Sequence, residues 1–369
     1  MGNIETIFSQ FNCTGNLVRH CPYGNGHINS THKIEVELDD NSTAAYIMQR
    51  INENVFKDID GLMSNIAAVV AHIEKKTLEN GGDDSQCLKL IKTKNGSNYY
   101  ADETGAYRCY NFITAGVSIE STPTNEQLFI SGKGFGCFQR HLDDFSVNCL
   151  KETIPNFHNT PSRFNALLEA IELNLAGRRD SVRDEIDFFL NQSSYVSIIV
   201  DKIANGLIPS RVTHNDTKLN NVLIDIVNNK PVTVIDLDTV MSGSIIYDFG
   251  DAIRSGANLA SEDERDLSLV KFSLDAYKAF ARGFMPEVVS ILEPTEFEYM
   301  HFGPIVMTLE CGMRFLTDHL NGDKYFRIHR KNHNLDRART QIKLLEDMKR
   351  HISQMRIFIE SFKPTNSNC

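Results

Sequence analysis

The residues with the clearest chemical potential lie in the stretch 213–221, which reads Thr-His-Asn-Asp-Thr-Lys-Leu-Asn-Asn. Asp216 stands two residues after His214 and five residues before Asn221, with Lys218 between them. Phosphoryl transfer to an alcohol requires a carboxylate to accept the hydroxyl proton, oxygen ligands for a divalent cation, and positive charge near the transferred group. The stretch offers all three, since Asp216 can act as the base, Asn221 as a metal ligand and Lys218 as the cation.

The segment after this stretch is expected to bring a second metal ligand to the same place. Two apolar runs, 222–224 and 232–235, flank the turn 228–231 and predict a β-hairpin. The hairpin would return Asp236 to the side of Asn221, where a second hard oxygen ligand for Mg²⁺ belongs. An HxDxxxxN spacing followed by a hairpin and an Asp-x-Asp pair is much rarer than an isolated HxD. The pattern therefore predicts the active centre of a kinase.

A polar, glycine-rich turn at 22–31 precedes the first predicted strand, 33–38. Its two glycines, Gly24 and Gly26, would let the backbone approach a nucleotide phosphate closely. The turn lies far ahead of the catalytic stretch, as expected of a loop that covers the nucleotide in a kinase.

The return strand, 44–51, lacks a residue that protein kinases place there. In those enzymes a lysine pairs with the α/β-phosphates and with a helix glutamate. Here Gln49 stands at the matching place, and the following helix has its first glutamate, Glu74, near its end. The Lys–Glu pair is therefore expected to be absent. This departure argues against a protein kinase and leaves the α/β-phosphate contact open, with Gln49 as the candidate.

The last strand of the predicted sheet leads into a second lobe. A hinge in that position offers backbone donors and acceptors to adenine, so Asn111, Phe112 and Ile113 are the nucleotide-binding candidates. Beyond residue 122 the pattern is helical, and Phe129, Phe135, Phe138 and Leu142 are predicted to lie on one buried helical face.

Several short residue strings in these motifs resemble those of a known superfamily. His-Asn-Asp in place of His-Arg-Asp, with Ile-Asp-Leu-Asp in place of Asp-Phe-Gly, resembles the aminoglycoside phosphotransferase and choline kinase superfamily. The string THNDTKLNNVLID…VIDLDTVMSGSIIYDFGDAIR and the turn PYGNGHIN look more like the N-acetylhexosamine 1-kinases, which phosphorylate the anomeric hydroxyl of GlcNAc or GalNAc. The resemblance extends from about Tyr23 to Leu344.

This resemblance implies a two-lobe, protein-kinase-like α+β fold with a small β-rich N-lobe and a larger helical C-lobe. It implies ATP and Mg²⁺, with Asp216 as base and Asn221 and Asp236 as metal ligands. His27, Asn29 and Arg314 would contact the sugar. Within the loop 155–164, His158 and Arg163 are either functional or structural anchors, and Asp248 is expected to hold the catalytic loop.

The predicted domains are a nucleotide-binding lobe at 1–113 with a hinge near 111–115, a catalytic and sugar-binding lobe at 114–362, and a disordered tail at 363–369. A net charge of −10 without a long Lys/Arg stripe argues against a nucleic-acid partner. Eight cysteines without a CxxC pair fit reduced thiols in a cytoplasmic protein. No apolar run approaches a membrane span, so no membrane partner is expected. The protein is expected to be a monomer or weak dimer.

Two alternatives remain open. One is a kinase of the same superfamily for another alcohol, such as an aminoglycoside, choline or homoserine. The other is a non-catalytic pseudokinase that binds nucleotide, against which the intact Asp216, Asn221 and Asp236 argue.

Overall fold

The structure is a computed structural model that describes residues 3–24, 28–119 and 122–364. The predictions for Gly26, His27 and the tail residues 365–369 concern positions outside these ranges.

An antiparallel sheet forms the N-terminal lobe. Its strands are β1 (Asn16–Pro22), β2 (Ser30–Glu37), β3 (Thr43–Arg50), β4 (Leu90–Ile91), β5 (Tyr100–Asp102) and β6 (Gly105–Asn111). They are arranged in the order β1-β2-β3-β6-β4, with β5 also paired to β6. The sheet therefore has β3 and β6 as direct neighbours, although 54 residues separate Arg50 from Gly105 in the sequence.

The two faces of this sheet have different partners. Side chains alternate between faces along a strand. Ile34 of β2 and Met48 of β3 pack in one core cluster with the short helix α1 (Ile4–Phe8). Ile47 and Tyr110, which belong to the opposite face, pack instead against the core of the rest of the chain. Residues such as Gln49 thus face the cleft between the lobes.

The C-terminal region is mainly helical. Its helices are α3 (Asn125–His141), α4 (Thr160–Leu173), α5 (Arg183–Leu190), α6 (Ser193–Val196), α7 (Ile198–Ala204), α8 (Ile245–Gly256), α9 (Leu274–Val288), α10 (Pro294–Tyr299), α11 (Gly303–Leu320) and α12 (His333–Glu360), and α2 (Ile59–Glu79) precedes them from the N-lobe. Its strands are β7 (Val117–Ser118), β8 (Arg211–Thr213), β9 (Val222–Asp225), β10 (Lys230–Val234) and β11 (Met241–Gly243). The predicted fold class, a β-rich N-lobe joined to a helical C-lobe, is confirmed.

Helices α3 and α9 pack with their backbones in close contact because glycine stands at the crossing. A Cβ atom on Gly132 would lie 2.2 Å from the Phe280 carbonyl oxygen, and one on Gly283 would lie 2.0 Å from that of Phe129. Only glycine permits this approach. The crossing positions α3, whose Phe135 and Phe138 rings contact His214.

One residue of the predicted α3 face is exposed. Phe135, Phe138 and Leu142 are buried, but Phe129 is 41% exposed. At about 100° per residue, Phe129 lies about 120° around the helix from Phe135, whereas Leu142 lies within about 20° of it. The prediction that Phe129 shares this face was therefore wrong, because six residues do not complete a whole number of turns.

Candidate active site

The predicted hairpin is present and brings the two candidate metal ligands together. Strands β9 and β10 pair antiparallel. Beyond them, the Ile235 backbone N–H donates to the Asn221 carbonyl oxygen at 2.9 Å. Asp236 therefore follows directly beside Asn221, as the sequence predicts.

Asp248 holds the backbone of the catalytic loop. Its Oδ2 accepts from the His214 N–H at 2.8 Å, and its Oδ1 accepts from the Asn215 N–H at 2.7 Å. Asn215 adopts a left-handed conformation with φ of 63°. Its side-chain amide donates to the Thr239 carbonyl at 2.8 Å, which fixes the turn that presents Asp216. The expectation that Asp248 anchors this loop is confirmed.

His214 connects the loop to the segment that contains the candidate metal ligand Asp236. Its Nδ1 accepts from the Asp216 backbone N–H at 3.3 Å, and its Nε2 lies 2.9 Å from the Ile235 carbonyl oxygen. A backbone N–H only donates and a carbonyl only accepts, so the ring is neutral with its proton on Nε2. Asp216 and Asp236 are thereby held in a fixed relation.

Asp216 pairs with Lys218 through an Oδ1–Nζ distance of 2.9 Å. Burial opposes ionisation of Asp216, but the Lys218 charge outweighs it and lowers the pKa of the carboxyl below its ordinary value. The side chain of Asp216 remains 26% exposed and that of Lys218 47% exposed. Asp216 is thus an ionised, accessible carboxylate that can accept a proton, and the cation beside it can meet an incoming phosphate.

Asn221 and Asp236 suit a divalent cation. The Asn221 amide nitrogen donates to the Asp216 carbonyl at 2.9 Å, which directs the amide oxygen elsewhere and leaves it available. Burial, together with the charges of Asp238 and Asp216, raises the pKa of Asp236 to about 6. A cation would relieve this excess of negative charge, and carboxylate and amide oxygens are ligands that Mg²⁺ prefers.

The rest of the cation's coordination would come from outside the protein. In the described ranges, no cluster of three or more His, Cys, Asp or Glu side chains has the geometry of a metal site. Mg²⁺ at kinase sites is held by one or two protein oxygens together with substrate phosphates and water. The two candidate ligands fit that pattern.

Arg108 of β6 is a buried cation in the cleft that the sequence reasoning missed. It is 1% exposed. Its Nη1 pairs with Asp238, and its Nε donates to the Gln49 amide oxygen at 2.9 Å. Only the pairing of β3 with β6 brings Gln49 opposite Arg108. No local sequence signal predicts that Arg108 contacts Gln49 and Asp238.

Asn29 also reaches Asp238 from the N-lobe. Its side-chain amide donates to Oδ2 of Asp238, while its own Oδ1 accepts from the Asn52 backbone N–H at 3.0 Å. Asn29 therefore lies in the cleft between the lobes, close to the candidate metal ligand Asp236. Gly24, at the end of the described part of the same turn, has φ of 74° and open space around it.

The three hinge candidates differ in whether their backbone N–H groups already have a hydrogen-bond acceptor. The Asn111 N–H donates to the Lys89 carbonyl at 3.2 Å, and the Phe112 N–H donates to the Ala45 carbonyl at 3.1 Å. The Ile113 N–H has no backbone partner in the part of the chain described here. Ile113 thus offers the free donor of the three for an adenine ring.

Arg314 of α11 lies in an aromatic environment. Its guanidinium carbon is 5.5 Å from the ring centres of Phe157 and Phe326 and 5.9 Å from that of Tyr325. Glu310, one turn earlier on the helix, pairs with His158 instead. In the described ranges Arg314 forms no ion pair with a carboxylate.

His158 links this pocket to the catalytic loop. Its Nδ1 lies 2.8 Å from Oε1 of Glu310, and its Nε2 lies 2.9 Å from the Asn215 carbonyl oxygen. Both partners are acceptors, so both ring nitrogens carry protons. Burial opposes this charge, but Glu310 outweighs it and raises the pKa of His158 above its ordinary value. His158 is thus a structural anchor for the loop, one of the two roles that the sequence left open.

We expect the His158→Gln substitution to destabilise the protein by about 2 kcal/mol at pH 6, because charged hydrogen bonds contribute about 1.5–3 kcal/mol. The pKa of His158 is higher in the folded state than the ordinary value of 6.5. Its contribution is therefore full below pH 6.5 and is lost as the pH rises through the folded-state value. Urea denaturation from pH 6 to pH 9 measures this, with His20→Gln on the exposed strand β1 as control. A difference between wild type and His158→Gln that grows with pH would contradict the charged form.

Comparison with known proteins shows what the chain resembles. Residues 138–286 match the family described as the phosphotransferase enzyme family, and this segment contains Asp216, Asn221 and Asp236. An aminoglycoside phosphotransferase from Alicyclobacillus acidocaldarius is similar over 96% of each chain, with 11% identity and a TM-score of 0.59. Choline kinase from Cryptosporidium parvum covers 93% of this chain and 92% of its own, with 13% identity and a TM-score of 0.53.

A third solved structure carries a nucleotide and a divalent ion. Amicoumacin kinase in complex with AMP-PNP and Ca²⁺ covers 94% of this chain and 90% of its own, with 12% identity and a TM-score of 0.51. The chain thus shares the fold of these small-molecule kinases, and its candidate site lies in the segment that matches the phosphotransferase family. Within the described ranges, none of the helices combines the length and apolar character that a membrane crossing needs.

Proposed function

We propose that the protein transfers the γ-phosphoryl group of ATP to the anomeric C1 hydroxyl of an N-acetylhexosamine, GlcNAc or GalNAc, in the presence of Mg²⁺. The observation that carries the choice of acceptor is Arg314, a guanidinium without a carboxylate partner in an aromatic pocket. Acceptors such as choline or an aminoglycoside are cations, which a fixed positive charge repels. A neutral sugar instead offers hydroxyl and carbonyl oxygens to the guanidinium and an apolar ring face to the aromatic side chains.

The pocket is connected to the proposed base through the chain itself. Arg314 stacks near Phe157, and the next residue, His158, donates to the backbone of Asn215, which precedes Asp216. A sugar bound at Arg314 would therefore lie on a surface that is fixed relative to Asp216. Such positioning is the main requirement for phosphoryl transfer, which demands little covalent chemistry from the protein.

In the proposed reaction, Asp216 accepts the proton of the anomeric hydroxyl while the sugar oxygen forms a bond to the γ-phosphorus and the bond to the ADP oxygen breaks. Lys218 offsets charge on the transferring group. Bound Mg²⁺, held by Asn221 and Asp236, would neutralise charge on the β- and γ-phosphate oxygens. The anomeric hydroxyl is more acidic than the other sugar hydroxyls, so a single carboxylate suffices as base.

The setting of the reaction is part of the proposal. The seven cysteines in the described ranges are free thiols, which supports a reducing compartment such as the cytoplasm. His27 and Asn29 are proposed to contact the sugar from the N-lobe side, and the protein is proposed to act as a monomer or weak dimer.

A panel of acceptors tests the assignment. The pure protein is incubated with Mg-ATP and, separately, GlcNAc, GalNAc, glucose, choline, homoserine or kanamycin, and ADP release is followed. We expect ADP release with the two N-acetylhexosamines above all others. Release with choline or kanamycin alone would contradict the acceptor assignment while leaving phosphotransferase activity in place, and release with none would point to a pseudokinase.

We expect Arg314→Ala to raise KM for the sugar about tenfold or more and to change KM for ATP little. A charged hydrogen bond is worth about 1.5–3 kcal/mol, and a contact confined to the acceptor does not involve the nucleotide. Arg282 on α9 is a matched control, because its guanidinium also stacks on an aromatic ring, that of Phe358 at 5.5 Å, but lies on an exposed surface. Equal increases in both KM values for Arg314→Ala would indicate a general structural defect instead.

A further inference from the structure

Three residues form a row across the face of the sheet that borders the cleft. Thr31 of β2 is the direct cross-strand partner of Gln49 of β3, and Gln49 is the direct partner of Arg108 of β6. Cross-strand partners project from the same face. This face is opposite to the one that packs on α1, and the row therefore points toward the catalytic segment.

The row is joined by hydrogen bonds that all orient Arg108. The Gln49 amide nitrogen donates to Oγ1 of Thr31 at 3.0 Å, which defines the direction of the amide. Its amide oxygen then accepts from Nε of Arg108 at 2.9 Å. The amide nitrogen and the amide oxygen of Gln49 are thus both hydrogen-bonded. As a neutral side chain, Gln49 also cannot supply positive charge to a phosphate. Its role in this arrangement is to hold the guanidinium.

Arg108 has more donor capacity than its protein partners use. A guanidinium carries five N–H groups in a rigid fork. Asp238 pairs with Nη1, and Gln49 engages Nε. In the described ranges Nη2 has no hydrogen-bond partner. A buried cation with free donors faces the segment that contains the metal-ligand candidate Asp236, which is where nucleotide phosphates must lie.

The alternative role for this contact is a simple link between the lobes. Asp238 is indeed contacted from the N-lobe by two side chains, Arg108 and Asn29, one on each carboxylate oxygen. A link between the lobes, however, requires no charged residue on the N-lobe side, because the uncharged Asn29 already forms such a link to Asp238. Asp238 compensates the charge of Arg108, but a buried ion pair is often no more stabilising than uncharged side chains in the same place. The charge is therefore the feature to explain.

We propose that Arg108 binds the α- and β-phosphates of the nucleotide, replacing the strand lysine of other kinases from the neighbouring strand, with Gln49 as its positioning residue. Asp238 holds the guanidinium in place when no nucleotide is bound and remains its neighbour afterwards. The proposal rests on the phosphotransferase function but not on the identity of the acceptor. A guanidinium suits this task because its fork binds two phosphate oxygens at once.

Nucleotide binding measured without any acceptor tests the proposal. Isothermal titration calorimetry with ADP and Mg²⁺ is compared with titration of adenosine, which lacks phosphates. We expect Arg108→Gln to weaken ADP binding about 10- to 100-fold, the value of a charged hydrogen bond, and to leave adenosine binding unchanged. Arg50→Gln is the control, because Arg50 follows Gln49 on β3 and so projects from the opposite face. An equal loss for ADP and adenosine in Arg108→Gln would overturn the proposal.

Two further variants separate the phosphate contact from a link between lobes. Asp238→Asn removes the partner of Arg108 but keeps the cation, so the preference for ADP over adenosine should remain about tenfold or more above that of Arg108→Gln. A link between lobes would instead make Asp238→Asn and Arg108→Gln weaken ADP and adenosine binding equally. The double variant Gln49→Lys, Arg108→Gln returns a cation to β3 and should recover at least part of the ADP affinity. If Arg108→Gln does not fold, Arg108→Lys permits the same comparison, because lysine lacks the fork that binds two phosphate oxygens. It should weaken ADP binding and leave adenosine binding unchanged, and a preference for ADP over adenosine equal to that of wild type would contradict the assignment.

Discussion

Substitution of Asp236 is expected to abolish phosphoryl transfer, with kcat reduced by at least about 10³-fold. Asp236 is the carboxylate ligand proposed for the cation that neutralises the β- and γ-phosphates, and such a cation contributes several kcal/mol to the transition state. Asp236 has φ of 59°, a left-handed conformation that alanine adopts poorly. Asp236→Asn is therefore the better matched variant, because asparagine tolerates this conformation and removes the negative charge.

A second readout for this variant does not depend on catalysis. Mg²⁺ should raise the thermal unfolding temperature of the wild-type protein in the presence of ADP, since a ligand that binds only the folded state stabilises it. The shift should be absent in Asp236→Asn and preserved in Asp187→Asn, which alters an exposed carboxylate of α5. Equal activity of the wild-type protein in EDTA and in Mg²⁺ would contradict the proposed role of the metal.

Replacing the proposed base, in Asp216→Asn, should lower kcat about 10²- to 10⁴-fold, the usual contribution of a general base. Asparagine preserves the shape of the side chain and its position after His214, so nucleotide affinity should remain close to that of wild type. Steady-state kinetics with saturating ATP and acceptor give kcat, and ADP titration gives the affinity. A kcat near that of the wild-type protein would show that Asp216 is not the base.

The proximity of the proposed catalytic residues was predictable because they are close in sequence. Asp216, Asn221 and Asp236 lie on one loop and one hairpin, and local turn and strand signals suffice to bring them together. The hydrogen bond from Ile235 to Asn221 and the anchoring of the loop by Asp248 agree with that prediction. Spacing alone defines such a unit, since a two-stranded hairpin has few possible registers.

The location of the buried cation Arg108 was not predictable in the same way. Arg108 is 59 residues from Gln49 and 130 residues from Asp238 in the sequence. Its position depends on the pairing of β3 with β6 and on the packing of that sheet against the catalytic segment. Neither feature can be predicted from a local sequence pattern. An arginine inside a predicted strand is also common on solvent-exposed faces, so its burial could not be inferred.

The acceptor side was only partly defined by the sequence. Arg314 could be singled out as a charge in an apolar helix, but its aromatic neighbours come from the separate segments around Phe157 and Phe326. His158 could not be assigned as anchor or ligand until both of its hydrogen-bond partners, Glu310 and the Asn215 carbonyl, were known. Contacts of this kind arise from tertiary packing and are beyond motif analysis.

The position of the phosphate in the product tests the central claim most directly. The product formed from GlcNAc and Mg-ATP is examined by ³¹P NMR with and without proton decoupling, and then treated with mild acid. The proposed reaction predicts a sugar 1-phosphate, whose phosphorus couples to the anomeric proton and whose ester bond is labile in mild acid. A stable 6-phosphate, coupled to the C6 methylene protons, would contradict the assignment even if GlcNAc proved to be the best acceptor.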